Sequence, residues 1–144
     1  MSIEDNNAIM YYRNELQSDK LQRLIKKDIK FVSAYCHGLA KECGWWGDIE
    51  TGKPVERNQG ELIALMHSEL SEALEALRKD LMDDHLPHRK GIEVELADTV
   101  IRIMDFCGAF NLDLGGAIAE KLAYNANRAD HKPENRAKDD GKKF

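Results

Sequence analysis

The sequence contains few residues that interrupt or cross-link a chain. Only three of its 144 residues are proline and three are cysteine. Scarce proline leaves room for long helices, because proline in a helix interior removes a hydrogen bond and clashes with the preceding turn. An odd number of cysteines without a Cys-x-x-Cys pair is typical of reduced thiols, so we expect a cytoplasmic protein.

An excess of positive charge is also missing. Twenty-one Lys and Arg stand against 26 Asp and Glu, which gives a net charge of -5. This balance argues against a nucleic-acid polymer as partner, because such binding needs a basic surface. A polyphosphate ligand is still compatible with this negative charge, provided that cations bridge the ligand to acidic residues of the protein.

Long apolar runs are absent too, which argues against a membrane partner. The first residues, "MSIEDNNAIMYYRNEL", are acidic and lack the basic and apolar regions of a secretory signal. The length favours a single domain over 1–144, with an N-terminal extension at 1–17 and a polar tail at 129–144.

The pattern that is present is helical. No run of alternating β-branched residues predicts a strand, whereas apolar residues recur three or four positions apart in four segments. Gly44 marks the end of the first segment, Asn58 with Glu61 resembles a helix start, and Asn111 or Asp113 offers the last N-cap. We therefore predict an all-α, four-helix-bundle-like fold, with helices over about 18–43, 58–79 and 92–110 and a fourth that runs from 112 or 114 to about 128.

The third predicted helix is apolar nearly all round. Leu96, Val100 and Ile103 share one face, and Val94 and Ile101 lie almost opposite. This pattern predicts a centrally buried helix.

Two pairs of carboxylates interrupt these apolar faces. Glu69 falls within the apolar stripe of the second helix, and Glu72 lies slightly toward its polar side. Glu95 and Asp98 repeat the three-residue spacing on the third helix, and residues 73–94 suffice for a turn between the pairs. Antiparallel packing would bring the two pairs face to face.

Four converging carboxylates need compensation by protons or cations, since burial and like charge both raise their pKa values. All-oxygen ligands favour Mg²⁺, with Mn²⁺ as a substitute. Two such ions about 4 Å apart would activate water and neutralise a phosphoryl group. The competing interpretations are solvated helix faces and a di-iron bundle, although the latter usually uses two Glu-x-x-His motifs.

The fourth helix carries a row of hydrogen-bond donors. Lys121, Asn125 and Arg128 follow the spacing i, i+4, i+7, with Tyr124 beside them. Such residues are usually solvent-exposed. Opposite a carboxylate-metal cluster, the row predicts a phosphate-binding site.

Three stretches together resemble a known family. "HSELSEALEALRKD", "EVELADTVIRIMDFCG" and "KLAYNANR" are similar to the MazG-like branch of the all-α nucleoside triphosphate pyrophosphohydrolases, whose signature is ExxE, a spacer and ExxD. The likeness extends over 37–144. The "GWW" before the second helix and the closing "GKKF" resemble small, stand-alone and often phage-encoded members.

The resemblance implies Mg²⁺-dependent hydrolysis of a nucleoside triphosphate between its α and β phosphates, with an interwoven homodimer or a homotetramer. By motif, the catalytic metal ligands would be Glu69, Glu72, Glu95 and Asp98. The phosphate-binding residues would be Lys121, Asn125, Arg128 and Tyr124. Related enzymes carry a further acidic residue just before the first motif glutamate, whereas this sequence has Ser68.

Four residues flanking the carboxylate helix are candidates for a base pocket, namely His37, Trp45, Trp46 and Asn58. They offer ring stacking and edge hydrogen bonds. For the two tryptophans, an equally open interpretation is that they close the end of the bundle or lie in a dimer interface.

The expected function is cleaning or rebalancing of the nucleotide pool through hydrolysis of nucleoside or deoxynucleoside triphosphates. One alternative is a base-selective dGTP, dCTP or dUTP diphosphatase. From another class, the alternative is a catalytically silent helical dimer that acts as a regulatory or adaptor protein.

Overall fold

The described part of the protein is all-α, as predicted. The structure, a computed structural model, describes residues 18–129 together with 132, 135, 137 and 138; the predicted extension at 1–17 and most of the predicted tail lie outside these residues. The helices are α1 (Asp19–Glu42), α2 (Gln59–Lys79), α3 (Gly91–Ala109) and α4 (Leu114–Asn127). Within the described residues, no helix combines the length and the apolar character needed to cross a bilayer.

The helix ends follow the local signals in the sequence. Gly44, just beyond α1, has a φ of +84°, a conformation that glycine adopts without a steric penalty. The Asn58 side chain accepts hydrogen bonds from the backbone N–H groups of Gly60 and Glu61 and so caps α2. Asp113 rather than Asn111 caps α4. These predicted boundaries are confirmed to within two residues.

The described residues divide into two compact units. One comprises Phe31–Leu112, which holds the second half of α1 together with α2 and α3. The other comprises the described parts of Met1–Lys30 and Asp113–Phe144, with the start of α1 and all of α4. The single-domain assignment stays a prediction.

Within the first of these units, α2 and α3 run antiparallel. Ala76, near the end of α2, lies against Gly91 at the start of α3. Glu69, two turns earlier on α2, bonds Arg102, three turns later on α3. Earlier residues of α2 thus contact later residues of α3, as in an antiparallel pair. This is the arrangement expected from the spacing of the two carboxylate pairs.

The apolar core formed by the described residues is small. Its buried members in this unit are Met66, Ala73, Ala76 and Cys107. The prediction that α3 is centrally buried is wrong for the single chain, because Leu96, Val100 and Ile101 are 45–48% exposed. Helical periodicity reveals an apolar face, but it does not reveal whether the same chain covers that face.

The helices α1 and α3 approach closely at Gly108. A Cβ atom at this position would lie 2.6 Å from the Cβ of His37 and 3.0 Å from the carbonyl oxygen of Ser33. Both neighbouring atoms are held by the backbone of α1, so a rotamer change would not relieve the overlap. Gly108 therefore permits the contact between these helices.

We expect Gly108→Ala to lower the free energy of unfolding by about 1–3 kcal/mol, because the added methyl group forces α1 and α3 apart. Gly38→Ala is the matched control, since nothing lies within 4 Å of the Cβ built there. It should raise stability by about 0.5–1 kcal/mol, because alanine is the better helix former. Urea denaturation measures both changes, and equal effects of the two substitutions would contradict the packing described.

Candidate metal centre and adjoining cleft

Three carboxylates from two helices converge in the Phe31–Leu112 unit. Glu69 of α2 and Glu95 and Asp98 of α3 each contribute an oxygen atom, and these atoms all lie within 4.8 Å of one another. We call this group the acidic triad. Its three carboxylate oxygens are able to hold a metal ion, as the sequence predicted for these residues.

Glu69 enters the triad because it occupies the buried stripe of α2. It lies between Met66 and Ala73, which are also buried, and is itself only 7% exposed. The Arg102 Nε–H donates a hydrogen bond to Glu69 Oε1 over 2.7 Å. A buried carboxylate needs such a partner, because an unpaired charge in this position would be strongly destabilising.

Glu72 occupies a different environment. It is exposed, and it lies outside the group of oxygens that forms the acidic triad. Its charge nevertheless acts on Glu95, whose pKa it helps to raise. A direct role for Glu72 in metal binding stays a prediction.

Two members of the triad, Glu95 and Asp98, have raised pKa values. The pKa of Glu95 is raised by burial, by the charges of Glu72, Glu69 and Asp98, and by a hydrogen bond with Glu69. Burial also raises the pKa of Asp98, as does the charge of Glu69, whereas Arg102 opposes the shift. Protons or added cations would relieve this repulsion.

A cleft of about 430 Å³ adjoins the triad. Tyr35 and Trp45 line it with aromatic rings, and α3 contributes Asp98, Arg102 and Asp105 to its wall. Asp98 therefore belongs to both the triad and the cleft. The volume lies within the usual range for small-molecule sites, and the mixture of aromatic and charged residues is typical of them.

Two of the predicted base-binding residues meet at a carboxylate. His37 Nδ1 lies 2.8 Å from Asp105 Oδ1, and the Trp46 Nε1–H donates to both Asp105 oxygens over 2.9 and 3.1 Å. The His37 and Trp46 rings also make an edge contact with centroids 5.3 Å apart. Asp105 thus orients both rings.

The other two predicted base-binding residues, Trp45 and Asn58, occupy different environments. Trp45 lines the cleft, and Arg57 donates a hydrogen bond to its backbone carbonyl. Asn58 uses its side-chain oxygen to cap α2 and is not among the residues that line the cleft. Base binding by any of these residues stays a prediction.

The predicted phosphate-binding residues belong to the other compact unit. There the Lys121 ammonium lies 4.9 Å from the centre of the Tyr124 ring, and the Arg128 guanidinium lies 5.9 Å from it. The side-chain oxygen of Asn125 is buried and has no hydrogen-bond partner among the described residues. Lys121, Tyr124 and Arg128 thus lie together near the end of the helix. The role of all four residues in phosphate binding stays a prediction.

Sequence reasoning missed three residues around the site. Arg102 and Asp105 follow Asp98 at four and seven positions along α3, so the signal was a charged row on an otherwise apolar helix. Asp83, in the loop before α3, helps to raise the pKa of Asp98. No local pattern marked Asp83, because its proximity to Asp98 depends on how the loop folds back.

Comparison with known proteins adds no family assignment. No match was found among protein-family models, curated proteins or solved structures. Function is therefore inferred from the residues of the triad and the cleft.

In buffer containing EDTA at pH 7.5, we expect Glu95→Gln to raise the melting temperature, because it removes a carboxylate whose ionised form is disfavoured. The raised pKa means that folded Glu95 holds its proton more tightly than the unfolded chain does. Wild-type stability therefore falls as the pH rises from the ordinary glutamate pKa of about 4.5 through the higher pKa of the folded state. The gain from the substitution should shrink as the pH is lowered toward 4.5.

Glu93→Gln provides the control for this measurement. Glu93 is exposed on the same helix and lies 3.7 Å from an Arg89 nitrogen. Its replacement should give no gain at either pH. A melting temperature of Glu95→Gln that stays at or below the wild-type value at pH 7.5 would contradict the proposed repulsion.

We expect Asp105→Ala to lower the free energy of unfolding by about 1–3 kcal/mol, because Trp46 and His37 lose a shared acceptor in a partly buried position. Asp105→Asn, which retains one acceptor oxygen, should cost less. Denaturation followed by tryptophan fluorescence measures the loss. As a control, Asp84→Ala removes an exposed carboxylate and should change stability by less than about 0.5 kcal/mol; equal effects at both positions would exclude the orienting role.

Proposed function

We propose that this protein is a Mg²⁺-dependent nucleoside triphosphate pyrophosphohydrolase of the MazG-like all-α class. It would hydrolyse a nucleoside or deoxynucleoside triphosphate between the α and β phosphates and release a monophosphate and pyrophosphate. The observation that carries this proposal is the convergence of Glu69, Glu95 and Asp98 beside a cleft of nucleoside size, which Asp98 also lines.

The chemistry of the triad suits a hard cation. Its three donors are carboxylate oxygens, and Mg²⁺ is commonly held by one or two carboxylates together with waters and substrate phosphates. Mn²⁺ accepts the same ligands and is the expected substitute. When bound, the ion would neutralise the charge that develops on the phosphoryl group.

The position of Asp98 suggests how a nucleotide would lie. Since Asp98 belongs to both the triad and the cleft, phosphates held at the triad would direct the nucleoside into the cleft. Trp45 offers a ring against which a base could stack there. Glu72 as a further metal ligand, and Lys121, Asn125 and Arg128 as phosphate donors, remain part of the proposal.

We further propose that the enzyme is a cytoplasmic homo-oligomer. Leu96 and Val100 on one face of α3, and Leu74 and Leu77 on α2, are about half exposed, and apolar side chains of this kind are commonly covered by a second copy. The three cysteines are free thiols, as expected in a reducing compartment.

In a pyrophosphate-release assay over the common NTPs and dNTPs with Mg²⁺, we expect wild type to hydrolyse at least one substrate. Asp98→Asn and Glu95→Gln should each lower kcat/KM at least about 100-fold, because each replaces an anionic ligand of the triad by a neutral amide. Glu75→Gln is the matched control, since Glu75 is exposed on α2 and pairs with Lys79. It should stay within about twofold of wild type.

Two results would count against the enzyme. One is the release of no pyrophosphate by wild type from any of these nucleotides, and the other is full activity in both triad variants. A melting temperature that Mg²⁺ leaves unchanged in the presence of nucleotide would favour the regulatory or adaptor alternative.

A further inference from the structure

Arg102 places a positive charge where the triad would bind its metal ion. Its Nε atom lies 2.7 Å from Glu69 Oε1, and the Glu69 side chain is only 9% exposed. The carboxylate of the pair is therefore shielded from water, and its hydrogen bond with the charged guanidinium is strong. A divalent ion at the triad would have to share this carboxylate with the guanidinium.

Arg102 also extends toward a second environment. Its side chain is 43% exposed, and it lines the cleft that adjoins the triad. The bond to Glu69 uses the Nε–H, which is one of five donors on the guanidinium. A change of side-chain rotamer would carry the group from Glu69 into the cleft without moving α3.

Two cations at one buried carboxylate repel each other. At separations near 4 Å this repulsion is substantial in a partly desolvated site. An ion that binds Glu69 therefore weakens the bond to Arg102, and by linkage the bond to Arg102 weakens the affinity for the ion by the same factor. Whichever cation leaves Glu69 becomes available to another anion.

We propose that Arg102 is a resident counter-ion that competes with the divalent cation for Glu69, and that metal binding releases its guanidinium into the cleft to bind the substrate phosphates. The inference rests on the proposed function. It makes Arg102 a residue that couples the two binding steps, because its donors become available to phosphate only once the metal has taken over the charge of Glu69. Metal and triphosphate would then bind with positive cooperativity.

A fixed structural ion pair predicts the opposite response to substitution. If Arg102 only held α2 and α3 together, its loss would loosen the triad and weaken metal binding. If Arg102 competes with the metal, its loss strengthens metal binding and weakens phosphate binding. The two roles therefore predict opposite changes in metal affinity when Arg102 is replaced.

The test is isothermal titration of the full chain with Mg²⁺ alone and then with inorganic triphosphate at saturating Mg²⁺. We expect Arg102→Gln to bind Mg²⁺ at least about tenfold more tightly than wild type, and triphosphate at least about tenfold more weakly, as the loss of a charged hydrogen bond implies. Arg89→Gln is the control. It removes the same charge from an exposed pair with Glu93 and should change either affinity by less than about twofold.

Arg102→Lys keeps the charge but replaces the planar guanidinium by an ammonium group that holds a carboxylate less specifically. The affinity of Arg102→Lys for Mg²⁺ should lie between those of wild type and Arg102→Gln. If Arg102→Gln does not fold, the affinity of Arg102→Lys tests the competition in its place. An unchanged or weaker Mg²⁺ affinity in the folded variants overturns the proposal, and so does an unchanged affinity for triphosphate.

The binding experiments on the Arg102 variants can be interpreted whether or not the protein hydrolyses nucleotides. A wild type that binds Mg²⁺ but releases no pyrophosphate would refute the enzyme, while the Mg²⁺ affinities would still decide whether Arg102 competes. Conversely, normal hydrolysis with an unchanged Mg²⁺ affinity in Arg102→Gln would refute the competition alone.

Discussion

The buried carboxylate of Glu69 constrains the contact between α2 and α3. It lies in the stripe of α2 that packs on its neighbour, where an apolar side chain would be the more stable choice. Arg102 offsets one negative charge, but Glu95 and Asp98 bring two more to the same place. The contact between α2 and α3, which we call the seam, therefore carries excess negative charge that protons or cations would compensate. This uncompensated charge makes it a candidate functional site.

One helix organises most of what surrounds this seam. Asp98, Arg102 and Asp105 follow one another along a single face of α3. The first belongs to the acidic triad, the second neutralises Glu69, and the third holds Trp46 and His37. Because all three are mounted on one rigid element, their spacing relative to one another does not depend on loops.

The small core of the single chain is consistent with this use of the helices. Side chains that would fill a larger core, such as Leu74 on α2 and Val100 on α3, remain about half exposed. A charged seam also contributes less to stability than an apolar one of the same area. Burial against a second copy, as we propose, would add apolar contacts at these half-exposed side chains.

The sequence by itself determined the helices and pointed to the carboxylates. Gly44, Asn58 and Asp113 mark helix ends through interactions with their immediate neighbours, so local signals sufficed. Only the tertiary structure decided that Glu69 pairs with Arg102, that Glu72 stays outside the triad, and that Asp105 joins His37 to Trp46. Such contacts depend on how each helix is rotated and in which register it packs, and a one-dimensional pattern contains neither quantity.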